Sequence, residues 1–397
     1  MKRVVTLLLY CALSCAATVA LAESTDGIRI GTRRVVESKV LKEGRTVHIY
    51  LPESYAQSRG YTRYPVLYVR DGGKFFHSFT GAIQQLTSDA TPHAPEMIVV
   101  AIVETDRVRD SSSTHSLQGF TGKTDQGFAT SGGGKDFLRF LEQELVPYID
   151  KEFSTSSYRI YCGYSFTGLS VIEAFLDQDP VFDAFLMMDP SWWWDDYAME
   201  RRAGVALTGR KFNRVQLFMA ATAEVYPDKY FIKARDIGSL ADMLRRTNPA
   251  GLDWKFERYA DESHHSMPLR ALYDGLTYFF RGYQPSLHEL YVEPEKLRSR
   301  YETVSARLGE RFALREDLLS FFGEQFLRNF KEPDQAIRYF QLAADAYPES
   351  WSAWHGLGEA YLAKGDKPVA GSMYEKSLLL NPHNDNAKQM LRSLRAE

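Results

Sequence analysis

Cysteine is scarce, with three in 397 residues. Two of them, Cys11 and Cys15, fall in an apolar leader, so a processed chain keeps only Cys162 and can close no internal disulfide. Cys162 itself reads as a small core residue at a strand end rather than a nucleophile. Net charge is scarce as well: 48 Lys and Arg face 51 Asp and Glu, a balance of −3 that gives no footprint of a nucleic-acid partner. Metal-ligand spacing is missing. The candidate histidines show neither His-x-x-x-His nor Cys-x-x-Cys patterns, so no metal or cofactor is expected.

A long apolar stretch occurs at Val4–Val19, behind the basic pair Lys2-Arg3 and ahead of the small-x-small triplet Ala20-Leu21-Ala22. That combination predicts a cleaved signal peptide over residues 1–22 and a periplasmic or secreted product with no stable membrane insertion; an uncleaved anchor is the alternative. Cys15 follows Ala12-Leu13-Ser14, a poor lipoprotein signal. Loss of Lys2 and Arg3 takes the charge from −3 to −5.

What remains is ordinary for a globular chain, at 44% hydrophobic and 25% charged residues, and long enough for a large core and two domains. Arg33–Val40 and Arg45–Leu51 read as a hairpin around Lys42-Glu43-Gly44. Tyr64–Arg70 is a compact apolar strand that enters the turn Asp71-Gly72-Gly73, and Met97–Val103 is another strand. A polar Ser/Thr/Gly-rich loop, Asp106–Gly134, follows; such loops often border a site. Arg107, Arg109 and Asp110 at its start read equally as a solvated cluster or as substrate contacts. Lys135–Glu152 is an amphipathic helix, with Phe137, Phe140, Leu141, Leu145 and Tyr148 at helical spacing. Strands interleaved with helices predict an α/β fold with a mostly parallel sheet.

The chemistry centres on Tyr158–Leu169. A β-branched and aromatic run ends at Cys162, then Gly163-Tyr164-Ser165-Phe166-Thr167-Gly168 leads into a helix-compatible segment. Strand, tight turn with one serine, then helix is the setting of a nucleophile elbow, although Thr167 stands where Gly-x-Ser-x-Gly has its last glycine. An ordinary strand-to-helix turn is the competing reading. Three more strands follow: Ala184–Met188, Val215–Ala220 and Asp253–Tyr259. The first runs into Asp189-Pro190-Ser191-Trp192-Trp193-Trp194-Asp195. At least one of those tryptophans is expected to line a cleft, unless all three form a packing cluster under a loop. Glu224 follows the second strand and His264 the third, so the chain order is serine, acid, histidine, as in α/β-hydrolases.

The last third is helical. Glu295–Leu308 is a charged helix, and Trp351–Asn384 carries a 34-residue tetratricopeptide pattern: Trp354, Leu357, Gly358, Tyr361, Ala370, Tyr374 and Pro382. Phe322, Gly323, Phe326, Ala336, Phe340, Ala343 and Pro348 match one repeat earlier, and Asn386–Leu394 reads as a cap. Two repeats bury too little alone, so the tail is expected to dock on the preceding domain, with homodimerisation or another protein contact as second choice. The resulting division is a signal at 1–22, an α/β domain at 23–284, a connecting segment and helix at 285–316, and an all-α repeat tail at 317–397.

With these residues in place the chain resembles the Putative esterase family of α/β-hydrolases, which includes esterase D-like and enterochelin-esterase-like enzymes. Tyr64–Gly72, Asp189–Asp195, Glu262–Pro268 and Leu272–Phe280 carry the similarity. The resemblance implies a serine esterase, with Ser165 as nucleophile, His264 as general base and Glu224 as acid; Asp228 or Glu262 are alternatives for the acid. His265 stands where the family has Gly or Asn, and Tyr164 where it has His. The oxyanion hole would use the amide of Phe166 and one from Gly72-Gly73. Trp192, Trp193, Arg107 and Arg109 are the candidate substrate contacts. The small-molecule substrate would be a siderophore lactone, an acylated sugar or a simple acyl ester. The competing function is a hydrolase-derived binding protein that works through its repeats.

Overall fold

The computed structural model describes residues 28–58, 60–88, 90–224 and 236–396. The predicted signal at 1–22 and Asp228 lie outside these. β1 (Thr32–Ser38) and β2 (Glu43–Tyr50) form the hairpin; β3 (Tyr64–Val69) leads through α1 (Gly72–Thr87) to β4 (Ile98–Ile102). After the long loop come α2 (Gly134–Phe140), a π-helical turn (Leu141–Leu145) and α3 (Val146–Glu152). β5 (Thr155–Tyr164), α4 (Gly168–Phe175), β6 (Ala184–Met188), α5 (Trp194–Ala206), β7 (Val215–Thr222), α6 (Gly238–Thr247), β8 (Leu252–Tyr259) and α7 (Met267–Phe279) complete the α/β part.

The eight strands form one sheet in the order β1-β2-β4-β3-β5-β6-β7-β8. β1, β2 and β4 pair antiparallel, and every pair from β4 to β8 is parallel. Every residue of β3, β4, β6 and β7 is buried, as parallel strands covered on both faces must be. Alternate side chains separate two cores. Leu67, Val69, Val99, Ala101, Phe218 and Ala220 face α1 and α7. Val66, Tyr68, Val100, Leu217 and Met219 face α2 to α6. α1 was not anticipated from sequence: its glycines read as a turn, yet Phe75, Phe79, Ile83 and Leu86 repeat at helical spacing and bury on the sheet. The helix read at Lys135–Glu152 is interrupted by the π-turn. Because the parallel strands run alike, the residues just past their carboxyl ends converge on one rim of the sheet. These residues are Asp71 after β3, Ser165 after β5, Asp189 after β6, Glu224 after β7 and His264 after β8.

The tail comprises α8 (Leu287–Tyr291), α9 (Glu295–Leu308), α10 (Glu316–Glu324) with a π-helical extension (Gln325–Phe330), α11 (Pro333–Ala346), α12 (Trp351–Lys364), α13 (Lys367–Leu380) and α14 (Asp385–Ala396). Among the described residues no helix is long and apolar enough to cross a membrane. The tail shares the α1/α7 core: Leu290, Leu297, Tyr301, Leu308, Phe312, Leu319, Phe322 and Phe340 continue the cluster that begins on the sheet. Phe312 meets the rings of Tyr158, Phe280 and Tyr283 at 5.9, 5.7 and 6.5 Å. Polar ties flank it. Tyr283 Oη donates to the Ala313 carbonyl at 2.9 Å, Arg315 Nη1 to the Thr87 carbonyl at 2.7 Å, and Arg307 Nη1 to the Phe279 carbonyl at 2.9 Å.

Phe312 is therefore a test of this seam. Phe312→Ala should reduce the unfolding free energy by about 3 kcal/mol in urea melts. A chain ending at Pro285 should melt lower or aggregate. Unchanged midpoints for both would show that the tail contributes nothing to the stability of the α/β part.

Candidate active site

β5 ends at Tyr164, and Ser165 takes φ 55°, the left-handed region that costs an L-residue about 1–2 kcal/mol. A 3-10 turn (Ser165–Thr167) then opens α4. Packing holds the turn in place. A Cβ at Gly163 would come within 2.8 Å of the Thr167 carbonyl oxygen, and one at Gly168 within 2.6 Å of Pro190 Cβ. The Ser165 carbonyl accepts from the Ser191 amide at 2.9 Å. The glycine displaced to position 168 is thus the one that lets α4 pack under the β6 turn.

His264 faces this serine, with Nε2 3.1 Å from Ser165 Oγ. Its Nδ1 lies 2.7 Å from Asp189 Oδ2. The sequence assignment of the acid is corrected here: Glu224 does not meet the imidazole but accepts the His264 backbone N–H at 3.1 Å. Asp189 ends β6, the strand beside β5, and its φ of 43° turns the chain at the rim. Glu262 is engaged by Ser266 and by Arg270 at 3.7 Å. Tyr164 supports His264 directly. Its hydroxyl donates to the His264 carbonyl at 2.8 Å, and its ring lies 4.7 Å from the imidazole. His265 meets the same hydroxyl at 3.2 Å. Burial pushes the Cys162 thiol well above its ordinary pKa, so it remains protonated and inert.

Two backbone segments follow strand ends at this rim with helix-start amides. The Phe166 amide follows the serine, and Gly72 and Gly73 begin α1, where the first amides have no intrahelical acceptor.

The aromatic and basic candidates divide. Trp192 is 0% exposed and donates Nε1–H to Ser239 Oγ at 2.7 Å, so it is a core residue and not a substrate contact. Trp194 is equally buried and donates to Thr114 Oγ1. Trp193 is half-buried and lies 5.8 Å from Phe120 and 6.1 Å from Phe128. Phe128 in turn lies 5.5 Å from Phe166. Ring contacts thus run from the residue after the serine out to Phe120, which is 40% exposed. Phe120 and Phe128 were missed; two aromatics in an otherwise polar Ser/Gly loop were their signal. Arg109 is committed to Glu43 at 2.6 Å and Asp110 at 2.7 Å, a correction to its reading as a substrate contact. Arg107 grips Asp71 through Nε and Nη2 at 2.7 and 3.0 Å.

The sequence model of a family described as "Putative esterase" matches residues 38–256. The ferri-bacillibactin esterase BesA of Bacillus subtilis is 26% identical over 244 residues, 57% of this chain and 81% of that one. A siderophore triacetylfusarinine C esterase of Aspergillus fumigatus is 25% identical over 155 residues, 38% and 52% of the two chains. Among solved structures, an IroE-like serine hydrolase from Shewanella oneidensis superposes with a TM-score of 0.69 at 28% identity, over 79% of this chain and 99% of that one.

The geometry orders the two acids. With a fluorophosphonate probe, Asp189→Asn should slow labelling of Ser165 about 10³-fold, because the imidazole loses the partner that sets its tautomer. Glu224→Gln, which keeps an acceptor for the His264 amide, should change it less than about tenfold. The reverse order would restore Glu224 as the acid.

Proposed function

Because the chain belongs to the Putative esterase family, we propose that it is a serine esterase acting through an acyl-enzyme on Ser165. The observation that carries this reading is the unbroken line Ser165 Oγ–His264 Nε2–Asp189 Oδ2, at 3.1 and 2.7 Å. His264 Nε2 takes the Ser165 proton as Oγ attacks the ester carbonyl. Asp189 holds Nδ1–H and stabilises the imidazolium that forms. The amides of Phe166 and of the Gly72-Gly73 turn hold the oxyanion. Collapse breaks the ester C–O bond, and His264 returns the proton to the departing alkoxide. Water, deprotonated by the same histidine, then releases the acid and restores the serine.

The aromatic shelf and the relatives support a reading of the substrate class. Trp193, Phe128 and Phe120 offer ring faces next to the elbow, and the relatives are named a ferri-bacillibactin esterase and a siderophore triacetylfusarinine C esterase. A catecholate ester siderophore, whose aryl groups stack on such a shelf, suits this arrangement best. The Lys2–Ala22 leader fits an exported enzyme that meets this substrate outside the cytoplasm. The tail is read as tetratricopeptide-like. A 55-residue stretch is 36% identical to the tetratricopeptide repeat domain-containing protein PYG7 of Arabidopsis thaliana, which supports that reading.

The test compares a ferric catecholate trilactone, a ferric hydroxamate ester and p-nitrophenyl acetate on the purified protein. Ser165→Ala should abolish turnover of all three and fluorophosphonate labelling. Trp193→Ala should raise KM for the catecholate about tenfold and leave the acetate ester unaffected. Labelling that persists in Ser165→Ala would overturn the mechanism, and equal KM in Trp193→Ala would overturn the substrate class.

A further inference from the structure

The elbow contains a residue that its usual pattern lacks. Thr167 stands at the last glycine position of Gly-x-Ser-x-Gly, and its side chain is fully buried. Its Oγ1 accepts the Tyr164 N–H at 3.1 Å and lies 3.0 Å from Asp71 Oδ2. The Tyr164 carbonyl, at 2.9 Å, is the other acceptor in reach. A carboxylate is the stronger acceptor, which directs the single hydroxyl proton to Asp71.

Asp71 is unusual in its own right. It occupies the N-cap of α1 with φ 55° and ψ 42°, yet its side chain makes no cap hydrogen bond. An aspartate there ordinarily accepts from the second or third amide of the helix. Here the carboxylate turns across to the elbow and takes Thr167 Oγ1 and both Arg107 donors. Arg107 Nη2 also donates to the Tyr164 carbonyl at 3.3 Å. Both backbone groups of the residue before Ser165 are thereby tied to the residue before Gly72.

The sheet does not make this connection. The β3–β5 ladder ends at the Val69–Cys162 pair, and the Arg70 amide to the Cys162 carbonyl, at 3.0 Å, is the last backbone bond between the two strand ends among the described residues. Beyond it, the elbow and the β3–α1 turn diverge into different helices. An oxyanion hole built from Phe166 on one and Gly72-Gly73 on the other needs their separation held.

We propose that Thr167 and Asp71 are positioning residues that form a strut between the two halves of the oxyanion hole, with Arg107 as the counter-ion of the strut rather than a substrate contact. The strut rests on the serine-esterase reading above. It acts on the transition state, where the oxyanion exists, and not on the bound ester.

Thr167→Val keeps the shape and removes the hydroxyl. It should lower kcat on p-nitrophenyl acetate about 10²-fold, the cost of a small misplacement, with KM within about threefold of wild type. The inhibition constant of phenylboronic acid, which adds to the serine as a tetrahedral adduct, should rise in parallel, while that of benzoate should not. Thr167→Ser should restore kcat to within about threefold of wild type, since it returns the hydroxyl. Should Thr167→Val fail to fold, judged by its melting temperature, Asp71→Asn reports on the same strut. It keeps an acceptor and the left-handed turn but loses the charge facing Arg107, and should show the same kcat-only loss in smaller measure. The strut is overturned if Thr167→Val retains kcat and boronate affinity, if its loss falls on KM, if Thr167→Ser is no better than Thr167→Val, or if Asp71→Asn retains full kcat. A wild-type protein that turns over no ester and binds no boronate overturns the esterase reading, and the strut falls with it.

Discussion

A serine in a left-handed turn at the end of a buried parallel strand is the constraint on which the rest of this structure depends. Ser165 at φ 55° costs folding energy. The recovery comes from neighbours: Gly168 closes on Pro190, the Ser191 amide binds the Ser165 carbonyl, and Thr167 accepts the Tyr164 amide. Each of these partners sits at or near the carboxyl end of β5 or β6. The turn therefore exists only where two neighbouring strands end together, the same rim to which the sheet brings His264 and Asp189.

Charge at this rim is used internally. From sequence, Arg107 and Arg109 read equally as solvated or as substrate contacts. Instead Arg107 pairs with Asp71, Arg109 with Glu43 and Asp110, and Arg45, fully buried, with Glu43 and Asp110. A buried guanidinium without carboxylates would be costly, so the pairs are required once the loop folds over β2 and β3. Beside these pairs, Trp193 makes ring contacts with Phe120 and Phe128.

The tail completes the other side of the molecule. The α1/α7 face of the sheet continues without a break into the tail helices, so one apolar cluster runs from Leu67 to Ala360. A short helical array has an uncovered end by construction, and a sheet face needs a cover. Here each supplies what the other lacks, through Tyr158, Phe280, Tyr283 and Phe312.

The sequence by itself determined the local elements. Compact apolar runs such as Ala184–Met188 became strands, the charged helical stretch Glu295–Leu308 became α9, and Gly-x-Ser followed by a helical run became the elbow, because those features depend on nearest neighbours along the chain. It also placed Ser165 and His264 just past strand ends, with acidic residues following the strands between them. α1 escaped because its two leading glycines read as a turn and hid the apolar spacing behind them. Which acid meets His264 was decided only by tertiary structure. Asp189 and Glu224 both follow strands between the serine and the histidine, and the choice rests on which strand end faces the imidazole. The same holds for the tryptophans: three identical neighbours in sequence diverge because the turn after β6 points Trp192 and Trp194 inward and leaves Trp193 half-buried. Composition and period set what each segment becomes, while pairing between segments far apart in the chain sets which side chains meet, and the chemistry depends on those meetings.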